Sequence, residues 1–303
     1  MDSSSSALKR RIGLGCMPLT GIYGPVCRDN ALKIIHHALD LGVSSFDTAE
    51  LYGPYVNEEL LAEALGSNLA RVEIATKFGY RIHDGKIAGL DSRPKSIRFA
   101  VEGSLRRLRR DYVDVLYQHR PDPAVPVEDV VGTMADLARE GKVLALGLSG
   151  AQPDSLRRAS AIHPIAFIQN EYSLIARDPE KTLLPSLLGT QTQFVCYSPL
   201  GRGILAGKLP KATQQSPTDY RNKDDRFQPK RHAELVDRLA PLWQIAATRS
   251  ASPAAIALAW LLSKGPTIQV IPGATDIEQL RTNTCSTDLI LTDGEIAALD
   301  LTI

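Results

Sequence analysis

Short apolar, β-branched runs alternate along the chain with longer stretches in which apolar residues recur at helical spacing. The strand candidates are residues 12–16, 45–48, 73–77, 113–118, 143–148, 167–170, 194–197 and 268–271. Helical spacing covers 29–41, 58–65, 94–108, 127–139, 153–160 and 179–188, then a pair of helices across 232–264. Local signals agree with these limits. Ser92-Arg93-Pro94 reads as a cap followed by a proline in a first helical turn, and Gly42 and Gly141 stand where helices end. Asp293-Gly294-Glu295 opens a last short helix that packs on the rest.

A strand followed by a helix, eight times over, predicts a single-domain α/β fold over residues 1–303, a (β/α)8 TIM barrel. A doubly wound open sheet is the rival, but eight near-equal units favour the barrel. The stretch 201–231 breaks the rhythm. It is long, polar and of mixed charge, which predicts either a functional lid or a surface insertion between the seventh strand and its helix.

Composition narrows the function classes. Lys+Arg 35 against Asp+Glu 34 provides no basic excess for an extended nucleic-acid surface. The apolar stretch 254–262 is far shorter than a membrane-spanning helix requires, and the Ser-rich residues 1–6 lack the apolar centre of a secretion signal. Cys16, Cys27, Cys196 and Cys285 are scattered, with no metal-ligand spacing and no disulfide framework. The expectation is a cytoplasmic protein acting on a small molecule, without metal, membrane or nucleic-acid partners; its oligomeric state is not legible.

In such barrels chemistry gathers at the C-terminal ends of the strands. There the chain carries Asp47 and Tyr52, then Lys77, then His119 followed by Arg120, then Ser149, Gln169 with Asn170, and Tyr197 with Ser198. Each residue alone has an ordinary explanation: a helix cap, a half-buried aromatic, a solvated strand end. An acid, a phenol, an amine and an imidazole on one rim are instead equipment for protonating an oxygen while hydride reaches carbon. A phenol with an ordinary pKa near 10 needs help to move protons, and a neighbouring ammonium would lower that value. Hydride must come from a cofactor, since no side chain supplies it. Gly13-Leu14-Gly15 lacks the third glycine of a Rossmann fingerprint.

The run Phe46-Asp47-Thr48-Ala49-Glu50-Leu51-Tyr52-Gly53, with Ala75-Thr76-Lys77-Phe78-Gly79, Tyr117-Gln118-His119-Arg120, Gly147-Leu148-Ser149, Gln169-Asn170-Glu171-Tyr172-Ser173, Tyr197-Ser198-Pro199-Leu200-Gly201-Arg202-Gly203 and Ile271-Pro272-Gly273, resembles the aldo-keto reductases over nearly the whole chain. Within them it is most similar to the group around plant perakine reductase. The resemblance implies a catalytic tetrad of Asp47, Tyr52, Lys77 and His119 and a nicotinamide cofactor extended across the rim. Ser149 and Gln169 would hold its carboxamide, Tyr197 would stack on its ring, and Ser198, Leu200, Gly203 and Lys208 would meet its phosphates. Gly273, Ala274, Thr275, Gln279 and Asn283 would hold the adenine end.

Three positions depart from the family pattern. Gly150 replaces a usual polar residue and would loosen one cofactor contact. Asp276 lies near the usual basic partner of a 2′-phosphate, and Thr282 replaces a usual glutamate. NADPH is still the expected cofactor, with NADH the alternative, and the expected reaction is reduction of an aldehyde or ketone with Tyr52 as proton donor. The alternatives are an NAD-dependent sugar or alcohol dehydrogenase and a non-enzymatic cofactor-sensing subunit. The substrate pocket would be built from the loops 21–28, 81–93 and 201–231, with Arg120 either facing a ligand or bridging to Asp122.

Overall fold

The computed structural model describes residues 11–207, 216–217 and 219–302. Its strands are β1 (Leu14–Gly15), β2 (Ser45–Asp47), β3 (Glu73–Phe78), β4 (Tyr80–His83), β5 (Lys86–Leu90), β6 (Val113–Gln118), β7 (Val143–Ser149), β8 (Phe167–Glu171), β9 (Gln193–Tyr197) and β10 (Ile268–Val270). The helices are α1 (Arg28–Asp40), α2 (Val56–Leu65), α3 (Pro94–Leu108), α4 (Val127–Arg139), α5 (Pro153–Ile162), α6 (Asp178–Lys181), α7 (Leu183–Ser186), α8 (Pro229–Arg238), α9 (Ala240–Thr248), α10 (Pro253–Ser263), α11 (Ile277–Thr284) and α12 (Asp293–Asp300).

Eight strands form one parallel sheet in the order β1-β2-β3-β6-β7-β8-β9-β10, the expected (β/α)8 arrangement. The sheet closes on itself through a parallel bridge between Ile12 and Val270. There Gly13 N donates to Val270 O at 2.9 Å and Val270 N to Arg11 O at 2.9 Å. The Arg11 guanidinium adds bonds to the carbonyls of Ile268 (2.8 Å) and Leu262 (2.7 Å). Pairing at this seam is sparse, so β1 and β10 are shorter than the apolar runs that contain them.

Strand alternation divides the core in two. On β3, Ile74 and Phe78 join the large layer between sheet and helices, whereas Ala75 joins Val115 and Tyr117 in a small cluster inside the barrel. This inner cluster is the floor beneath the reactive residues. Gly147 makes it possible: a Cβ there would lie 2.4 Å from the Tyr117 ring. The apolar stretch 254–262 belongs to α10, buried along its length between β10 and the outer helices. Among the described residues no single helix is long and apolar enough to cross a membrane; α9 and α10 reach that only as a pair bent by 103°.

Several expectations are corrected. Helix 179–188 is two single turns, α6 and α7, because Pro185 has no N–H to continue the ladder. The pair across 232–264 is three helices, broken at Leu239 before Pro241 and again before Pro253. Ser92 is not a cap: Arg93 holds that position, and buried Ser92 accepts from Gln118 Nε2 at 3.1 Å. The stretch 81–93 is not a plain loop, since β4 and β5 form an antiparallel hairpin about Asp84-Gly85, both at positive φ.

Candidate active site

β2 and β3 bring Asp47 and Lys77 to the barrel mouth, above the Tyr117 floor with which Lys77 is in register. Lys77 is 1% exposed, so its ammonium needs partners for every N–H. It donates to Asp47 Oδ1, to Thr48 O at 2.8 Å and to Tyr52 Oη at 3.1 Å, which satisfies all three. As Lys77 donates to the phenol oxygen, the phenol keeps its own hydrogen for another acceptor. Tyr52 sits in a tight turn, its N–H on Ala49 O at 3.0 Å. Buried Asn57 locks that turn through bonds with Thr48 Oγ1 (2.7 Å) and Cys16 O (2.9 Å).

His119 follows β6, its backbone N–H on Phe78 O at 2.8 Å. Its ring meets Tyr52 and Tyr80 edge-on at 5.8 and 5.1 Å, and its Nδ1 is buried without a hydrogen-bond partner among the described residues. The sequence reading missed Tyr80, which opens the hairpin. The four tetrad candidates thus form one cluster.

Electrostatics sets their protonation. Burial raises the Tyr52 phenol above its ordinary value, and the pull of Lys77 offsets this only in part. The ammonium acts in the expected direction, but desolvation is the larger effect, so the net shift of the phenol is upward. Burial works against the Lys77 ammonium, yet Asp47 and Tyr52 together raise its pKa. His119 lies well below its usual value through burial, then through the charges of Lys77 and Arg120. At neutral pH the cluster holds a protonated phenol, an ammonium and a neutral imidazole.

Around this cluster lie the residues matched to cofactor contacts. Ser149 and Gln169 are register partners on β7 and β8, and Gln169 Nε2 donates to Asp47 Oδ2 at 2.7 Å. Gln169 keeps an acceptor oxygen. Ser149 Oγ accepts from Arg120 at 3.0 Å and keeps a proton to donate, so the pair has the donor and acceptor that a carboxamide needs. Tyr197 ends β9 with its hydroxyl 3.3 Å from Arg120 Nη2. Beyond it Ser198, Gly201, Arg202 and Gly203 all have positive φ, a tight turn with Leu200 packed on the core. Arg120 does not bridge to Asp122, whose carboxylate accepts from the N–H groups of Ser92 and Ala124.

After β10, Ala274 is buried and Gly273 O accepts from Asn283 Nδ2 at 3.2 Å. Gln279 Oε1 accepts from Thr275 N at 2.9 Å. Asp276 caps α11 by accepting from Gln279 N at 2.8 Å, so this departure from the family pattern has a structural employment. Arg281 lies beside His37 at 3.2 Å, and Thr282 is half-buried. Lys208 lies outside the described residues, as do 1–6 and part of 201–231. The described parts of that loop are tied down: Arg202 pairs with Asp224, Arg226 with both Asp224 and Glu171, and Tyr220 N donates to Ile22 O at 3.0 Å.

The aldo/keto reductase family model matches residues 11–302. The chain belongs to the aldo/keto reductase family. The chain is 39% identical over 280 residues to a probable aldo-keto reductase 1 of Glycine max, covering 90% of the chain and 79% of that protein. Among solved structures it is similar to a glycerol dehydrogenase from Gluconobacter oxydans, with TM-score 0.86, 32% identity, and 96% and 90% of the two chains covered. It is also similar to an aldo/keto reductase from Klebsiella pneumoniae in complex with NADP and acetate, with TM-score 0.75, 27% identity, and 96% and 90% covered. The family is one of oxidoreductases that use NAD(P)H.

Proposed function

We propose that this aldo-keto reductase reduces an aldehyde or ketone with NADPH, and that Tyr52 delivers the proton. The observation that carries this reading is the 3.1 Å bond from Lys77 Nζ to a phenol that burial keeps protonated. A protonated phenol with a free hydrogen is the form that gives a proton to a developing alkoxide; oxidation of an alcohol would need the phenolate. Asp47 balances the Lys77 charge, and neutral His119 orients the carbonyl oxygen beside Tyr52. Ser149 and Gln169 would hold the nicotinamide carboxamide, Tyr197 would cover the ring, and the turn from Ser198 to Gly203 and the Gly273–Thr275 segment would hold the phosphates and adenine. When bound, the reduced nicotinamide supplies hydride to the carbonyl carbon.

The test is consumption of NADPH and of NADH across aldehydes and ketones, with Tyr52→Phe alongside. NADPH-dependent turnover is expected, with Tyr52→Phe slower by roughly 10²–10⁴-fold at nearly unchanged cofactor affinity. Equal turnover in that variant removes the proton-donor role. A second reading, an NAD-dependent alcohol dehydrogenase, rests on Asp276 at the start of α11, where a carboxylate would repel a 2′-phosphate. Tighter NAD⁺ than NADP⁺ binding in a fluorescence titration would favour it.

A further inference from the structure

Among the described residues, Arg120 after β6 differs from Arg202, Arg221 and Arg226 after β9 in its partners. Arg202 pairs with Asp224 and Glu171, Arg221 with Asp219, and Arg226 with Glu171 and Asp224. Arg120 has no carboxylate partner among the described residues. Its Nη1 donates to His119 O at 2.8 Å and Ser149 Oγ at 3.0 Å, and its Nη2 to Tyr197 Oη at 3.3 Å. A guanidinium has five N–H donors, so two remain unspent, on Nε and Nη2. The group is half-buried, with its Cζ 5.3 Å from the centre of the Tyr197 ring and one N–H on the carbonyl of His119. Gly150 leaves the space for it: a Cβ there would lie 3.3 Å from Arg120 Cδ, and the backbone has φ +69°. A half-buried cation without a counter-charge, beside the residue that orients a carbonyl, is a receptor for an anion.

Building on the carbonyl-reducing reading above, we infer that Arg120 is a specificity-determining residue that binds the carboxylate of an oxo-acid substrate. The bond is charge-assisted and uses the two free N–H groups, while Ser149 and Tyr197 hold the guanidinium in place. Substrates with a carboxylate near the carbonyl are then preferred over neutral ones of the same shape.

The probe pair is 4-oxobutanoate and its methyl ester, which differ in this charge and one methyl group, assayed with NADPH. The ratio of their kcat/KM values is expected to be at least about 10 in the natural protein, to fall about 10–100-fold in Arg120→Met, and to be intermediate in Arg120→Lys, which keeps the charge without the fork. A ratio taken within one variant is unaffected by lost folded protein or weaker cofactor binding. In parallel, calorimetry with butanoate should show binding that weakens at least about 10-fold in Arg120→Met. Acid and ester reduced equally well by the natural protein, or a ratio that Arg120→Met leaves unchanged, overturns the anion site while carbonyl reduction stands. Arg120-dependent butanoate binding, with neither these carbonyls nor the wider series of aldehydes and ketones reduced, supports the anion site and removes the carbonyl-reducing reading.

Discussion

Lys77 makes three bonds, to a carboxylate, a carbonyl and a phenol, from a side chain that is 1% exposed. Stability and chemistry are therefore coupled at this residue. Lys77→Met should cost about 3–5 kcal/mol, because Asp47 is left buried without its cation, and should abolish turnover. Adding Asp47→Asn removes the orphaned charge, and the double variant should regain much of the stability but none of the activity. Denaturant midpoints and turnover for the three variants check this; a double variant as unstable as the single one would mean that Asp47 is not what the ammonium neutralises. Asp47, Lys77 and His119 were legible in the sequence as strand-end residues. The direction of the Tyr52 shift was not, because burial of the phenol exceeds the pull of one ammonium and burial is not written in a local motif.

At the level of elements, β7 shows how a strand serves the site by what it omits. Gly147 makes room for Tyr117 in the inner cluster, and Ser149, two residues on, points to the same side at the mouth. Gly147→Ala should push Tyr117 from its place and destabilise the protein by about 1–3 kcal/mol, read as a lower denaturant midpoint. An unchanged midpoint would show that the floor yields. The hairpin of β4 and β5 was hidden for a different reason. Asp84-Gly85 between Ile82 and Ile87 is a hairpin-turn signal, but the strands are short and largely exposed, so apolar alternation is weak. That hairpin carries Tyr80, which braces His119. Proline likewise decided the splitting of 179–188: apolar spacing runs through Pro185, but the hydrogen-bond ladder cannot.

Across the whole molecule, burial of charge makes stability depend on pH. Glu50 lies behind the tetrad, its carboxyl raised to about 7 by burial and then by Glu58. Between its ordinary value of 4.5 and about 7 the folded state holds a proton that the unfolded chain releases, so stability falls as pH rises through this window. His119 acts oppositely: below its ordinary value of 6.5 the unfolded chain gains a proton that the folded state refuses, so stability falls as pH drops. Comparison with Glu50→Gln cancels the histidine contribution. The variant should gain about 2–3 kcal/mol relative to the natural protein between pH 5 and pH 8, measured by chemical denaturation at both values. A constant difference would mean that Glu50 is ionised throughout.

Periodicity is local, so the chain alone specified eight strands with helices between them and the reactive residue that ends each strand. The meeting of those residues depends on closure of the sheet. Gln169 reaches Asp47 across 122 positions, and Arg120 reaches Tyr197 across 77, only because eight parallel strands curl until Ile12 lies against Val270. Closure also buries Asp47, Lys77 and His119 at the mouth. Burial there keeps the Tyr52 phenol protonated and the His119 imidazole neutral.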